Sequence, residues 1–188
     1  MKQKSSVKER ILDTASRLFY HQGYNSTGIN QIIAEADIAI GSLYKHFQSK
    51  ADLLYYYLEQ EEIEYFANLE DYLKEEKQPL QKLLKLIDYR IKVQEHSNFS
   101  GCHFIKINAE IGQTDSKITQ IIVEHKQKQR DYIASLINEI GAIQKLPMEK
   151  NILENSIFLM IEGAVVSTSI YGNTNDLKAV KKMINQLF

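Results

Sequence analysis

Residues 41–50 read GSLYKHFQSK and crowd a tyrosine, a histidine, two serines and two lysines into ten positions. Ser42, Tyr44, Lys45, His46 and Lys50 carry the hydroxyl, imidazole and ammonium donors that bind phosphate oxygens. Leu43 and Phe47 stand among them at i, i+4. On a helix, that spacing turns two apolar side chains one way and leaves the polar ones facing outward. Gly41 lies one residue inside this helix, where a glycine weakens it and needs a reason. The chemistry is binding rather than bond-making. The chain has no phosphate loop, no nucleophile motif and no paired carboxylates in a recognisable setting, so no enzyme is expected. No cofactor and no metal are expected either, because His96, Cys102, His103 and His125 lack tight ligand spacing.

The elements that must hold these residues are helical. In 188 residues there are two prolines and eight glycines, too little punctuation for many short strands. Val7, Ile11, Leu12, Ala15, Leu18 and Phe19 form one apolar stripe, capped by Ser5 or Ser6 and ended by Gly23. A short helix is predicted over 29–36 and another over 40–47, with Asp37-Ile38-Ala39 as the turn between them. Ser49 caps a longer helix to about residue 76. Further helices are predicted over 79–96, 102–111, 116–140, 149–171 and from 175 onward, with Pro79 in a first turn, Ser116 as a cap and Gly141 as a C′ residue. The fold class is therefore all-α, about nine helices: a three-helix N-terminal helix-turn-helix head and a helical body. The seam falls near residue 50, which divides the chain into 1–50 and 51–188.

Charge separates the same two parts. Residues 1–50 carry a net +3 and the remainder −4, so any polyanion should meet the head. The first ten residues have no apolar core after their charges and do not read as a secretory signal. The apolar run 157–170 is short for a span and holds Glu162, so it reads as a buried helix rather than a membrane segment. A single cysteine, Cys102, suits a reducing cytoplasm.

Two short helices joined by a three-residue turn, behind a longer helix, make a helix-turn-helix whose second short helix enters the DNA major groove. Thr27-Gly28-Ile29, Ile32-Ile33-Ala34, then Gly41 to Phe47 and Ser49-Lys50-Ala51-Asp52-Leu53-Leu54 resemble the DNA-binding head of the TetR family of transcriptional regulators. The resemblance covers about residues 8–55. It implies that Thr27 caps the second helix and touches phosphate, that Ser42 faces the groove, and that Tyr44, His46 and Lys50 grip phosphate. Ile40 and Lys45 fall at variable positions, where an operator would be read, and Gly41 permits close approach. Two residues depart from the family pattern: Asp37 stands where glycine is usual in the turn, and Ala39 where Ser or Thr caps the recognition helix.

The resemblance extends to the body. It implies a homodimer built on the last two helices, with Gly163, Ala164, Ser167, Thr168, Val180 and Ile184 as interface candidates. It also implies an effector pocket among the middle helices, for which Tyr65, Phe66, Tyr89, Cys102, His103, Phe104 and Phe158 are candidates; the same aromatics suit an ordinary core. Gly101 and Cys102, with Glu110 eight residues on, are similar to a subset of the family in which some members respond to electrophiles or oxidants. The expected function is a cytoplasmic, homodimeric regulator, most simply a repressor, on a palindromic double-stranded DNA operator, released by a small-molecule effector or by modification of Cys102. The alternatives are an effector-independent DNA-binding protein and a helical enzyme with a vestigial head.

Overall fold

The computed structural model describes residues 6–112 and 114–188, and among them are nine α-helices and no strand. These residues fall into two compact units. One holds the chain up to Ile63 together with His103–Ile122, and the other holds Glu64–Cys102 with Val123–Phe188.

The first unit begins with α1 (Val7–His21), α2 (Ile29–Glu35) and α3 (Ile40–His46), which pack against one another. Ser6 opens α1 with a capping box: its hydroxyl accepts from the Glu9 N–H, and the Glu9 carboxylate accepts from the Ser6 N–H. Ser5, the other cap candidate, lies outside the described residues. Ile11, Ala15, Leu18 and Phe19 of α1 are buried, as their spacing predicts. Asp37 adopts the left-handed conformation expected of a glycine there, at φ 51°. Arg10 braces this turn, donating to the carbonyls of Ala36 and Asp37 at 3.1 and 3.0 Å. Orphan carbonyls at the end of α2 are thereby satisfied without glycine. Ala39, as expected, gives α3 no side-chain cap.

α4 (Lys50–Leu73) opens on Ser49, whose hydroxyl accepts from the Asp52 N–H at 3.0 Å. It ends three residues before the predicted limit, because the Glu76 carboxylate accepts the N–H groups of Lys77 and Gln78 and holds a turn there. α6 (His103–Ile111) starts one residue late and leaves Cys102 outside it. α7 (Ser116–Ile143) is capped by Asp115 rather than by Ser116, since Asp115 accepts from the N–H groups of Lys117 and Ile118 at 3.0 and 3.1 Å.

The second unit is built around α5 (Pro79–His96), α8 (Lys150–Tyr171) and α9 (Asn175–Leu187), with Leu83, Ile87, Ile137, Ile157, Val165 and Leu177 in its core. α8 is apolar enough by length and composition to cross a membrane, with a mean hydropathy of 1.2, yet one face of it packs into this core. Gly172 ends it at φ 63°, its N–H donating to the Thr168 carbonyl. Gly141 does not end α7: the helix runs on to Ile143. A Cβ at Gly141 would come within 3.3 Å of the Leu146 side chain, so this glycine makes room for a leucine rather than turning the chain.

Candidate nucleic-acid interface and the polar core of the body

α3 has two faces. Leu43 is fully buried and Phe47, just past its end, is 1% exposed, its ring meeting Tyr56 edge-on at 5.3 Å. On the other face Ile40 is 57% and Tyr44 51% exposed, beside exposed Gly41, Lys45 and His46. Ile40 and the Tyr44 ring are thus held in water on a seven-residue helix. A Cβ at Gly41 would meet nothing within 4 Å, so no intramolecular packing calls for glycine there. Ser42 is half-buried at the edge of this face.

Thr27 and Lys50 are held differently from the expectation. The N-cap of α2 is Gly28, with no side-chain bond; Thr27 is 1% exposed and its hydroxyl donates to the Gly23 carbonyl at 2.6 Å. A threonine tied into its own turn cannot also cap the next helix. Lys50 is half-buried with its ammonium 4.1 Å over the Tyr24 ring, and burial pulls its pKa below the ordinary lysine range against the pull of Glu110.

Glu110, marked in the sequence, sits on α6 within this unit. Its carboxylate accepts the Asn25 N–H at 2.8 Å, and the Asn25 side-chain amide donates to its carbonyl at 3.1 Å. Lys106 on the same helix donates to the Tyr20 carbonyl. His103 stacks on Tyr20 with ring centroids 3.7 Å apart, and the Tyr57 hydroxyl bonds its Nδ1. Burial, reinforced by the Lys106 and His21 charges, pushes this imidazole down to about 3. The Glu61 carboxylate, 3.1 Å from Nδ1, favours a charged ring, but burial outweighs it and the ring stays neutral. Three side chains of α6 thus tie it to the α1–α2 region.

The seven pocket candidates divide accordingly. His103 and the buried Phe104 lie in the first unit, whereas Tyr65, Phe66, Tyr89, Cys102 and Phe158 lie in the second. There Tyr65, Phe66 and Phe158 line a cavity of about 10 Å³, room for about one water. Arg90, Gln129 and Glu162 complete its wall, and these the sequence reading missed as site residues. Glu162 joins two cations: its carboxylate accepts from Arg90 at 2.9 Å and from Lys126 at 2.5 Å. Lys126 also lies 3.5 Å from the Cys102 Sγ and 3.3 Å from the Gln129 Oε1. The signal was present. Glu162 interrupts the run IFLMI-E-GAVV in phase with Phe158 and Val165, and a charge on a core-facing stripe demands a counterion. Its partners, 36 and 72 residues away, had no such signature.

Of the interface candidates, Ala164, Thr168 and Ile184 are buried within the chain's own second unit, Ser167 and Val180 are half-buried, and Gly163 is exposed. The exposed apolar face of α8 consists of Ile152, Leu159, Val166 and Ile170, with Gly163 in its middle.

Residues 11–56 match the family model described as bacterial regulatory proteins, tetR family. Forty-seven residues are 51% identical to the uncharacterized HTH-type transcriptional regulator YxaF of Bacillus subtilis, a match spanning 25% of either chain. Over 184 residues the chain is 26% identical to the HTH-type transcriptional regulator LmrA of the same organism, covering 96% of this chain and 95% of that one. Its fold superimposes with a TM-score of 0.85 on SCO4454, a TetR-family transcriptional regulator from Streptomyces coelicolor, at 22% identity over 96% of this chain and 95% of that one.

Proposed function

We propose that this chain, whose residues 11–56 match the tetR-family model, is a transcriptional regulator that acts as a homodimeric repressor on a palindromic DNA operator. The observation that carries this reading is the outward face of α3, where Ile40, Gly41, Tyr44 and Lys45 are exposed over the buried keel of Leu43 and Phe47. A single α-helix fits the major groove, and Gly41 lets its first turn come close. Ile40, Ser42 and Lys45 then read bases, while Tyr44, His46 and Lys50 hold phosphates, Lys50 beside the start of α4. Thr27, buried and bonded to the Gly23 carbonyl, holds the turn before α2.

The α8 face of Leu159, Gly163, Val166 and Ile170, at 3–4-residue spacing with Ile152 two turns before it, supports self-association. Two heads related by a two-fold axis would meet half-sites about 34 Å apart. An effector bound in the second unit would release DNA by favouring a dimer whose recognition helices no longer match that spacing. The site of action is the cytoplasm, where the DNA and a reduced Cys102 coexist.

The test is a duplex-binding titration on sites selected from a random library. Lys50→Ala should weaken binding about tenfold on every sequence and flatten the salt dependence, whereas Lys45→Ala should reorder the preferred sites. If Lys45→Ala scales all sites alike, Lys45 does not read bases. Absence of DNA affinity even at low salt would favour the enzyme reading. A melting temperature unmoved by any ligand would favour an effector-independent DNA binder.

A second trigger has its own observation, the 3.5 Å approach of the Lys126 ammonium to the Cys102 Sγ. Cys102 is a free thiol and only half-buried, so an alkylating reagent can reach it. N-ethylmaleimide should release DNA from the wild type and leave Cys102→Ser bound. Equal loss in both proteins would remove Cys102 from the mechanism.

A further inference from the structure

The polar cluster of the second unit is unbalanced. Arg90 and Lys126 share one carboxylate, Glu162, which gives each of them a single oxygen. Arg90 is 6% exposed, and its Nε has no hydrogen-bond partner among the described residues. A buried guanidinium N–H without a protein acceptor calls for one from outside the chain, and beside a second cation an acceptor that carries negative charge fits best. The cluster as a whole holds two positive groups against one negative.

The cavity beside this cluster adjoins a wider groove of about 590 Å³. Phe66, Leu69 and Tyr132 line both, so these three side chains form the partition between them. The groove's floor is apolar, from Leu69, Leu73 and Phe66, while its rim carries two carboxylates and two ammonium groups, Glu70, Glu76, Lys74 and Lys82. An occupant with an apolar body in the groove and one polar end past the partition fits this division.

Two observations decide the sign of that polar end. Two of the four aromatic rings that line the cavity already hold a cation from the chain: Arg90 lies 5.0 Å over the Tyr65 ring, and Arg130 lies 3.8 Å over the Phe158 ring. A cationic ligand would also meet the net positive charge of Arg90 and Lys126. A carboxylate would neutralise it and satisfy the empty Nε.

We propose that the effector is an amphipathic anion, a single carboxylate on an apolar body, with the carboxylate on Arg90 and the apolar part in the groove along Phe66, Leu69 and Tyr132. The cavity holds only a water-sized group in this state. The carboxylate therefore enters by turning the partition aside, and that movement is what distinguishes the ligand-bound state. This inference rests on the reading of the protein as an effector-released regulator.

The probes are decanoate, decanol and decyltrimethylammonium, which share a chain and differ in head charge. Each is titrated into the full-length protein by calorimetry, and then into the protein–DNA complex by fluorescence anisotropy. Decanoate should bind wild type at least tenfold tighter than decanol, with the ammonium weaker still. Arg90→Met leaves Lys126 and Glu162 as a balanced pair and should abolish this preference while its melting curve confirms folding. Equal or tighter binding of decanol or the ammonium, no binding of decanoate, or unchanged selectivity in Arg90→Met would each overturn the assignment. Release of DNA reports separately on the regulatory reading. Selective decanoate binding that leaves DNA affinity unchanged upholds the ligand class and sinks effector release. Release by the uncharged or cationic probe does the reverse.

Discussion

Glu162→Ala should destabilise the protein by about 3–5 kcal/mol, because it leaves Arg90 buried and Lys126 half-buried without a counterion. For a chain of this length that corresponds to a fall in melting temperature of roughly 10 °C. The size of the effect follows from burial. The side chains of Arg90, Lys126 and Glu162 are 7%, 18% and 15% exposed, so water cannot replace the lost carboxylate at any of them. Arg90→Met is the contrasting change. It removes one of two cations, keeps the volume, and leaves the Lys126–Glu162 pair intact, so it should cost far less. The order of the two variants tests the charge count of the cluster. If Arg90→Met unfolds the protein as readily as Glu162→Ala, or if Glu162→Ala melts within a degree or two of wild type, the cluster is not limited by its single carboxylate. Thermal denaturation followed by circular dichroism measures both.

Phe47→Ala should cost about 3–5 kcal/mol and abolish DNA binding, through collapse of the support under the recognition helix. Phe47 is 1% exposed, and Leu43, four residues before it, is fully buried. No other side chains of α3 and its C-cap turn inward to the same depth. A cavity under a seven-residue helix without a side-chain cap cannot be filled by small adjustments of that helix. Tyr44→Ala provides the opposite case on the same turn. Tyr44 is 51% exposed, so its removal should change stability by less than about 0.5 kcal/mol while weakening DNA binding. The pair separates loss of affinity through unfolding from loss through contact. Equal melting temperatures for Phe47→Ala and wild type would show that Phe47 does not hold α3 in place. A large drop for Tyr44→Ala would mean that its ring serves the fold rather than the DNA.

The two faces of α3 were legible without coordinates because helical periodicity sorts residues locally. Leu43 and Phe47 at i, i+4 had to share a side, and Tyr44 and Lys45 had to lie off it. The same logic located α5 and α8 to within a residue at either end. It failed where a nearby polar group competed for the backbone. Asp115 took the cap assigned to Ser116, and the Gly23 carbonyl took the Thr27 hydroxyl. Gly141 was misread for a related reason, since the Leu146 that explains it lies beyond the end of α7.

By itself, then, the sequence determined what depends on neighbours along the chain: the all-helical class, the helix-turn-helix, its inward keel and its outward donors. The tertiary structure decided what depends on residues brought together from afar. It placed His103 against Tyr20 and Tyr57, tied Glu110 to Asn25, and gathered Arg90 and Lys126 around the Glu162 carboxylate. Helical spacing can say that Glu162 faces a core. Only packing in three dimensions can say which charges it must answer, and that one of them, the Nε of Arg90, is left without an acceptor.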